Sequence, residues 1–582
     1  MKTIYKSVIL FTAGLVSVAN LAAQNASPKD STLNRQILLE REFNPTLQDA
    51  SKINTVPAIH EPVVKPAQIQ FETKQADLQF QTYPVGDTGS GDIATGVDFS
   101  KKRGYLSFAG GNYMNLKGTL GYRVVDEKND RLDFFFRHNS TNGDVKYADK
   151  TNGLDKAKAK YMNNFVKAEY EHSFEFLSWF LNAKFDGTSF NYYGNPFSAN
   201  SFEMDKKQNV NSFGAETGVK SNENNEFVYS GSLSFDHFSA KYGPLVADDG
   251  VSGNIIRAKF DMAAPMSGYR NLIGLKLGVM NQGFSDVKFA EKDIDFHSFT
   301  RLHATPYFRI NGDDYSVSLG VNFDYAIDQE NKFVVSPDVK MNWQFADKTS
   351  LYLNATGGVN ENDYLSIMAE NRYVDMSRKV AYSRTLADAT LGIKSGIING
   401  FEFDVFAGYK YTKDEHLYSS ESNGNFYSWA NISDVRYYDV GVGSIGALIK
   451  TNLIPYTDLS AKFVGYFYDV TDNNDYIGGA IPEEKPWNLP KATLNINADF
   501  HPLKELKLSV GYYLATGRET EYMGKSIDMK NISELNIGAD YQILDWVTVF
   551  ARLNNVLNQK YETWYGYTHQ GFNVMGGVSL KF

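Results

Sequence analysis

Two short motifs are the residue patterns best suited to chemistry in this chain. Residues Gly441 to Gly446 match the dinucleotide-binding pattern G-x-G-x-x-G. That pattern indicates a cofactor site only where a buried strand leads into a helix, whereas here it lies inside a predicted membrane strand, where alternate glycines make room near a lumen. An acidic group that could hold calcium lacks the EF-hand glycine and distal glutamate at their required spacing, which favours a solvated loop. Its members are Asp469, Asp472, Asn473 and Asp475.

Other catalytic chemistry finds little support in the composition. The 582 residues include no cysteine, which excludes disulfides, thiolate metal sites and cysteine nucleophiles. The nine histidines are scattered, without a helical H-x-x-x-H pair, and sequence cannot show a Ser-His-acid group converging from distant loops. A net charge of −10 argues against nucleic acid as a partner. We therefore predict that the chain is not an enzyme and has no catalytic residue, metal ligand or cofactor.

One aromatic segment is a candidate binding site. Residues Tyr561 to Tyr567 read as an exposed loop, and clustered aromatic rings could stack on a sugar or contact a partner. The predicted ligand-contacting residues are Trp564, Tyr565 and Tyr567. The alternative is that these rings belong to an aromatic girdle at the outer membrane surface.

The elements that must position these residues are strands, because hydrophobicity alternates with a period of two. In Tyr315–Ile327 every second residue is apolar and the residues between them are small or polar. The same alternation recurs over residues 494–500, 506–514 and 535–541. A period of two predicts a strand with one apolar and one polar face.

Three features distinguish a membrane barrel from a soluble β-sandwich, which also alternates. The predicted strands often exceed ten residues, whereas globular strands usually run about 5–6. Short connections such as 312–314 and 502–505 alternate with long polar ones such as 191–208 and 360–383, and tyrosine and phenylalanine concentrate near strand ends, as in outer-membrane barrels. We predict an all-β, antiparallel transmembrane barrel of about 22 strands over residues 104–582, surrounded by outer-membrane lipid.

The residues before the barrel divide into two predicted parts. Residues 1–23 have the charged start, short apolar stretch and small-residue end of a cleavable signal peptide. Residues 24–103 are broken by prolines and lack sustained periodicity. A short element within them could contact a partner or the barrel lumen, although a solvated linker is the alternative. Its predicted contact residues are Arg41, Phe43, Asn44 and Pro45.

The last strand carries a predicted export signal. Phe582, Leu580 and Val578 share one face of the final alternating segment, and a terminal aromatic on the lipid face resembles the signal by which the barrel-assembly machinery recognises its clients. The alternative is a strand that merely ends in phenylalanine.

The C-terminal hundred residues resemble the TonB-dependent receptor family. The resemblance is carried by Pro486–Pro490 before a strand, by Trp546–Asn558 with its Asn-Asn-Val-Leu-Asn ending, by Gln559–Tyr561 and by the final strand from Gly571. It implies a 22-stranded outer-membrane barrel related to importers of scarce nutrients that are energised through TonB. Members of the family carry an N-terminal plug of well over a hundred residues, and residues 24–103 lack the glycine-rich texture of such a plug. We therefore expect folded-in loops, residues 24–103 or a partner protein to occlude the lumen.

Two functions follow as hypotheses. In the first, the barrel acts in uptake or passage of a solute across the outer membrane, with TonB or another envelope protein as a partner. In the second, the barrel is an occluded scaffold subunit of a larger outer-membrane assembly or export complex.

Overall fold

The computed structural model describes most of the chain after residue 101. The described ranges are 102–148, 155–194, 207–222, 227–243, 250–266, 271–285, 298–328, 331–375, 382–398, 400–419, 432–472, 484–522 and 525–582. The predicted signal peptide and the predicted partner segment with Arg41, Phe43, Asn44 and Pro45 lie outside these ranges.

Twenty-two long antiparallel strands form the wall of a closed barrel. In chain order they are β1 Gly104–Gly111, β2 Leu116–Asp126, β3 Asp130–Lys146, β4 Lys156–Ser173, β5 Leu177–Asn191, β6 Lys207–Ser221, β7 Val228–Ala240, β8 Val251–Met266, β9 Asn271–Ser285, β10 Phe299–Asn311, β11 Tyr315–Ile327, β12 Lys332–Ala346, β13 Thr349–Asn360, β14 Ser383–Ser395, β15 Phe401–Ser419, β16 Ser433–Thr451, β17 Thr457–Asp472, β18 Ala492–Leu503, β19 Leu506–Thr516, β20 Ile532–Leu544, β21 Val547–Asn554 and β22 Asn573–Lys581. The predicted fold class and strand number are confirmed.

The barrel closes where its first and last strands meet. β1 pairs with β22 in an antiparallel register that runs from Tyr105 opposite Lys581 to Gly111 opposite Met575. The Gly104 backbone N–H donates to the Phe582 carbonyl at 2.8 Å. Closure leaves no sheet edge, so the strand ladders pair the backbone polar groups that hydrocarbon cannot satisfy.

Burial follows the two-residue repeat predicted from the sequence. On β11 the apolar side chains of Leu319, Val321 and Phe323 are exposed on the outer surface, while Asn322 and Asp324 face inward and are buried. The same belt of exposed apolar side chains recurs on strands around the barrel. A closed barrel with an outward apolar belt is the architecture of bacterial outer-membrane proteins, so the predicted location is confirmed.

The glycine motif, and those residues of the acidic group that the structure describes, lie in strands of the barrel wall. Residues Gly441 to Gly446 lie within β16, as predicted, and not between a strand and a helix. Asp469 and Asp472 lie in β17, whereas Asn473 and Asp475 fall outside the described residues. In the described part of the chain, no group of three or more histidine or acidic side chains is placed to hold a metal ion.

The connections at the two ends of the barrel differ as expected. Even-numbered strands lead into short turns, for example 312–314, 347–348 and 504–505, and most odd-numbered strands lead into long loops. The long loops contain the helix α1, Tyr364–Glu370, and two small hairpins, Glu519–Tyr522 with Lys525–Asp528 and Glu562–Trp564 with Tyr567–Thr568. The two-residue strand Val374–Asp375 pairs in parallel with the start of β16, and a 3₁₀ turn, Asn112–Met114, joins β1 to β2. No helix of the described residues combines the length and apolarity required of a membrane span.

Candidate functional site: a loop-built lid over a charged lumenal cavity

Aromatic side chains from three loops that are distant in sequence meet at the long-loop end. The rings of Tyr373, after β13, and Tyr567, after β21, stack with centroids 3.6 Å apart. Tyr193, after β5, packs edge-on against both rings, at 5.9 and 5.2 Å. Burial raises the pKa of Tyr193 and Tyr567 well above the ordinary tyrosine value. We call this contact, together with the loops that carry it and α1, the lid.

The helix α1 forms the apolar core of the lid. The Asp363 carboxylate caps its start by accepting from the Ser366 backbone N–H at 3.1 Å, which stabilises a first turn that would otherwise leave its amides unpaired. The ring of Tyr364 stacks on Phe238 of β7 with centroids 4.7 Å apart. Ile367 is 1% exposed and belongs to the same buried cluster. The helix is therefore packed onto the inner wall and is not free in solvent.

Ion pairs attach the beginning of α1 to the wall. Arg257 of β8 lies 3.0 Å from the Glu361 carboxylate and 2.8 Å from the Asp363 carboxylate. Arg301 of β10 also contacts Glu361, at 3.4 Å, and holds Asp324 at 2.7 Å. Burial raises the pKa of the Asp363 carboxyl, and the positive charge of Arg257 acts in the opposite direction. Charge-assisted pairs of this kind orient a buried loop because each partner would be costly to leave unpaired.

The end of α1 is attached to a different part of the wall. The Glu370 carboxylate lies 2.8 Å from His416 Nε2 and accepts from the Tyr418 hydroxyl at 3.0 Å, both on β15. Two residues after the helix ends, the Arg372 guanidinium sits over the ring of Tyr161 on β4, 4.1 Å from its centroid. The α1 loop thus contacts strands from separate sectors of the barrel.

A buried arginine in the loop after β19 joins that loop to the loop before β18 and to the loop after β21. The Arg518 guanidinium donates to the Asn488 carbonyl at 3.3 Å, to the Glu562 carbonyl at 2.7 Å and to the Thr563 carbonyl. Complete burial lowers the pKa of Arg518 to about 10. Three backbone acceptors from two other loops converge on this one cation, which therefore fixes the three loops relative to one another.

Beneath the α1 loop the inner wall lines a cavity of about 490 Å³. Its charged and titratable lining residues come from β8, β9, β10 and the loop, and the charged ones carry both signs. They are Arg257, Lys259, Asp261, Lys276, Arg301, His303 and Glu361. Lys276 also contacts Asp338 of β12 at 2.8 Å. A cavity of this size offers several fixed charges that can contact a polar, charge-bearing solute.

The aromatic segment predicted to be an exposed loop is mostly buried. Trp564 is 4% exposed and Tyr567 is 1% exposed, while Tyr565 is half-buried and packs near Tyr522. The expectation of exposure is wrong for Trp564 and Tyr567, because their rings pack against Tyr418 and Tyr373 across the lid. That Trp564, Tyr565 and Tyr567 contact a ligand stays a prediction.

The residues of the predicted export signal lie at the end of the last strand. Phe582 is exposed and Leu580 and Val578 are partly exposed, at alternate positions of the last strand. Recognition by the barrel-assembly machinery stays a prediction. Arg257, Arg301 and Glu361 are not among the site residues predicted from the sequence. An inward charge within an alternating strand was the available signal, but its partners lie in a loop far along the chain.

Comparison with known proteins finds similar structures but no similar sequence. No protein-family model and no curated protein matches the sequence. The structure is similar to the siderophore receptor PirA from Acinetobacter baumannii, with 10% identity, a TM-score of 0.64 and coverage of 83% of this chain and 80% of that chain. It is similar to the FrpB iron transporter from Neisseria meningitidis, with 10% identity, a TM-score of 0.63 and coverage of 83% and 82%.

A third solved structure agrees with these two. A mutant of the ferric enterobactin receptor PfeA from Pseudomonas aeruginosa has 11% identity, a TM-score of 0.62 and coverage of 83% of this chain and 81% of that chain. Identities this low establish the fold alone. The resemblance to the barrels of TonB-dependent receptors, predicted from the C-terminal motifs, is confirmed at that level. The neighbours are receptors and a transporter rather than enzymes, in agreement with the sequence analysis.

Proposed function

We propose that the chain is an outer-membrane receptor-type barrel that takes up a polar, charge-bearing solute through its lumen, with the α1 loop as its gate. The observation that carries this proposal is the charged cavity beneath a loop that is attached to the wall by side chains. A gate needs contacts that can be exchanged for contacts with a ligand. Arg257, Arg301 and Glu361 meet this need because they hold the loop and also line the cavity.

The solved neighbours support the same class of function. They are a ferric enterobactin receptor, a siderophore receptor and an iron transporter. A metal–chelate solute is compatible with a cavity that presents several cationic and anionic side chains. Energisation through TonB, or contact with another envelope protein, follows from the resemblance and is part of the proposal.

Conductance of the purified chain in planar bilayers tests the proposal. The wild type is compared with Glu361→Gln/Glu370→Gln, which removes charge from both attachments of the α1 loop. A matched control, Asp133→Asn/Glu169→Gln, neutralises two inward carboxylates near the short-turn end. We expect raised conductance for the lid variant and wild-type behaviour for the control. All three proteins should show the gel mobility of a folded barrel.

A parallel sample without residues 24–103 is needed, because the sequence predicts these residues as one of three candidates for occluding the lumen. Recordings on the lid variant without these residues separate their contribution from that of the lid. If every sample is silent while amide exchange shows the α1 loop released, uptake through the lumen is contradicted. A stoichiometric companion retained in gentle detergent would then support the alternative, an occluded scaffold subunit.

A further inference from the structure

Five lysines cluster on the outer face of the barrel at the long-loop end of neighbouring strands. Lys146 is the last residue of β3, and Lys207 is the first of β6. Lys156, Lys158 and Lys160 open β4 at alternate positions. We call these five residues the lysine patch.

Alternation shows that the patch points outward. Val145, just before Lys146, and Ala159, between Lys158 and Lys160, are buried on the inner face at 2% and 6% exposure. Lys146, Lys156, Lys158 and Lys207 are exposed. Met162, two residues after Lys160 on the same face, is one of the exposed apolar residues of the belt. The lysines therefore continue the lipid-facing side of β4 beyond the apolar belt.

The height of the patch matches a membrane surface. Tyr170 of β4 and Trp179 of β5 pack edge-on with centroids 5.6 Å apart, on the outward face near the short-turn end. Lys160 precedes Tyr170 by ten residues, which corresponds to about 33 Å along a strand. At a tilt of roughly 40° this is about 25 Å across the bilayer, the height of the apolar band of such barrels. The patch thus begins at the opposite headgroup level.

The patch gathers positive charge in a chain whose net charge is −10. Lys146 lies directly opposite Lys156 in the β3–β4 register, and like charges at opposed positions are unfavourable. Among the described residues, the acidic neighbours in this stretch are Asp144, whose carboxylate contacts Lys156 at 2.6 Å, and Asp155 in the adjoining loop. Counted over the described residues of this stretch alone, five ammonium groups outnumber two carboxylates, and an external anion would stabilise this positive net charge.

A contrasting sector shows that the patch is local. On β11 and β12 the outward side chains stay apolar up to the long-loop end, where Tyr325, Ile327 and Phe333 are exposed. The barrel therefore presents hydrocarbon-like contacts on one side and concentrated positive charge on another at comparable strand ends.

We propose that the lysine patch binds the phosphate of a lipid headgroup in the leaflet at the long-loop end of the barrel. Lysine ammonium groups bind phosphate as point charges, and basic residues beside a membrane surface each strengthen attachment to anionic lipid. The position at headgroup height favours a lipid over a soluble anion, because a lipid is already held at that level by its acyl chains.

Native mass spectrometry of the full chain in detergent tests this site. The probes are phosphatidic acid and diacylglycerol with the same acyl chains, so that only the phosphate differs. The variant is Lys146→Gln/Lys156→Gln/Lys158→Gln. The control is Lys117→Gln/Lys167→Gln/Lys220→Gln, which removes three lysines from the inner face of β2, β4 and β6. We expect the wild type and the control to retain phosphatidic acid over diacylglycerol, and the patch variant to lose affinity by about tenfold or more.

Each other outcome overturns the proposal. Equal retention of both lipids, or equal loss in patch and control variants, removes the headgroup site. Displacement of phosphatidic acid by millimolar inorganic phosphate indicates a soluble anion as the ligand. A protein companion that is lost only with the patch variant indicates a protein interface in place of a lipid. Folding of each variant is checked by gel mobility, and double variants replace any triple variant that fails to fold.

Discussion

The wall and the lid are built by different rules. Wall strands pair through backbone ladders, with an alternation of apolar and polar side chains that repeats along each strand. The lid is held by individual side chains, such as Arg518 and the Tyr193–Tyr373–Tyr567 contact, that join loops far apart in sequence. A substitution that disrupts the wall should therefore destabilise the whole barrel, whereas a substitution that disrupts the lid should affect only the loops that form it.

The largest effect is expected for Gly577→Val at the closing seam of the wall. A Cβ at Gly577 would lie 2.4 Å from the Phe108 carbonyl oxygen and 2.4 Å from a ring atom of Phe550. Because backbone atoms cannot move aside cheaply, the overpacking should cost about 3 kcal/mol, the upper end of the usual range, and disrupt β1–β22 pairing. Unheated gel electrophoresis should show loss of the compact form. Gly576→Val is the control, since the nearest atom to its Cβ is 3.9 Å away; a compact Gly577 variant would contradict the prediction.

The next effect concerns the lid alone, through Arg518→Met. Three carbonyl acceptors would lose a charged donor, which we expect to destabilise the joined loops by about 2–4 kcal/mol. Amide exchange should accelerate in residues 484–491, 517–522 and 562–568 and stay unchanged in the wall strands. Lys530→Met is the matched control, because within the described ranges this exposed side chain makes one hydrogen bond, to the Ala148 carbonyl. Simultaneous loss of wall protection would show that lid and wall are one cooperative unit.

A smaller change is expected at the start of α1. Asp363→Ala removes both the cap to Ser366 and the ion pair with Arg257, while Asp363→Asn retains a capping oxygen. Loss of a cap costs about 0.5–2 kcal/mol, so the alanine variant should open α1 more than the asparagine variant. Exchange of the Ser366 amide measures the difference. Equal rates in the two variants would assign the whole effect to the ion pair.

The smallest effect is a pH dependence within the lid. Lys485 and Lys491 lie 2.8 and 2.7 Å from Glu519 and lower the pKa of its carboxyl to about 2, below the ordinary value of 4.5. A lowered pKa means that the contact contributes fully above about pH 4.5 and is lost as the pH falls toward 2. Exchange in residues 484–491 should therefore rise over that window in the wild type. Glu519→Gln should abolish the pH dependence, and a persistent dependence would point to another carboxyl.

The wall could be predicted from sequence because its signal is local and repeated. Tyr315–Ile327 alternates over its whole length and forms β11 with those bounds, and the strand number follows from counting such segments. The short turns were equally readable, since polar clusters interrupt the alternation. Pairing between neighbours in sequence then leaves little freedom in the topology.

The lid could not be predicted because its partners are brought together only by the closed wall. Tyr193, Tyr373 and Tyr567 carry no mutual sequence signal, and each reads alone as a loop or girdle aromatic. The burial of Trp564 likewise depends on Tyr418 of β15. Five strands, β9 to β13, lie between Arg257 and Glu361 in the chain. Their ion pair therefore follows from three-dimensional geometry and not from their spacing in the sequence.

The pairing of β1 with β22 has a consequence for biogenesis. A nascent polypeptide that stops before β22 is translated has two unpaired edge strands. The backbone N–H and C=O groups along those strands are satisfied neither by lipid nor by a neighbouring strand. Such a fragment has no smaller closed barrel that it could form as a stable intermediate. Insertion should therefore be all-or-none, and arrested products should stay accessible to envelope proteases until they are cleared.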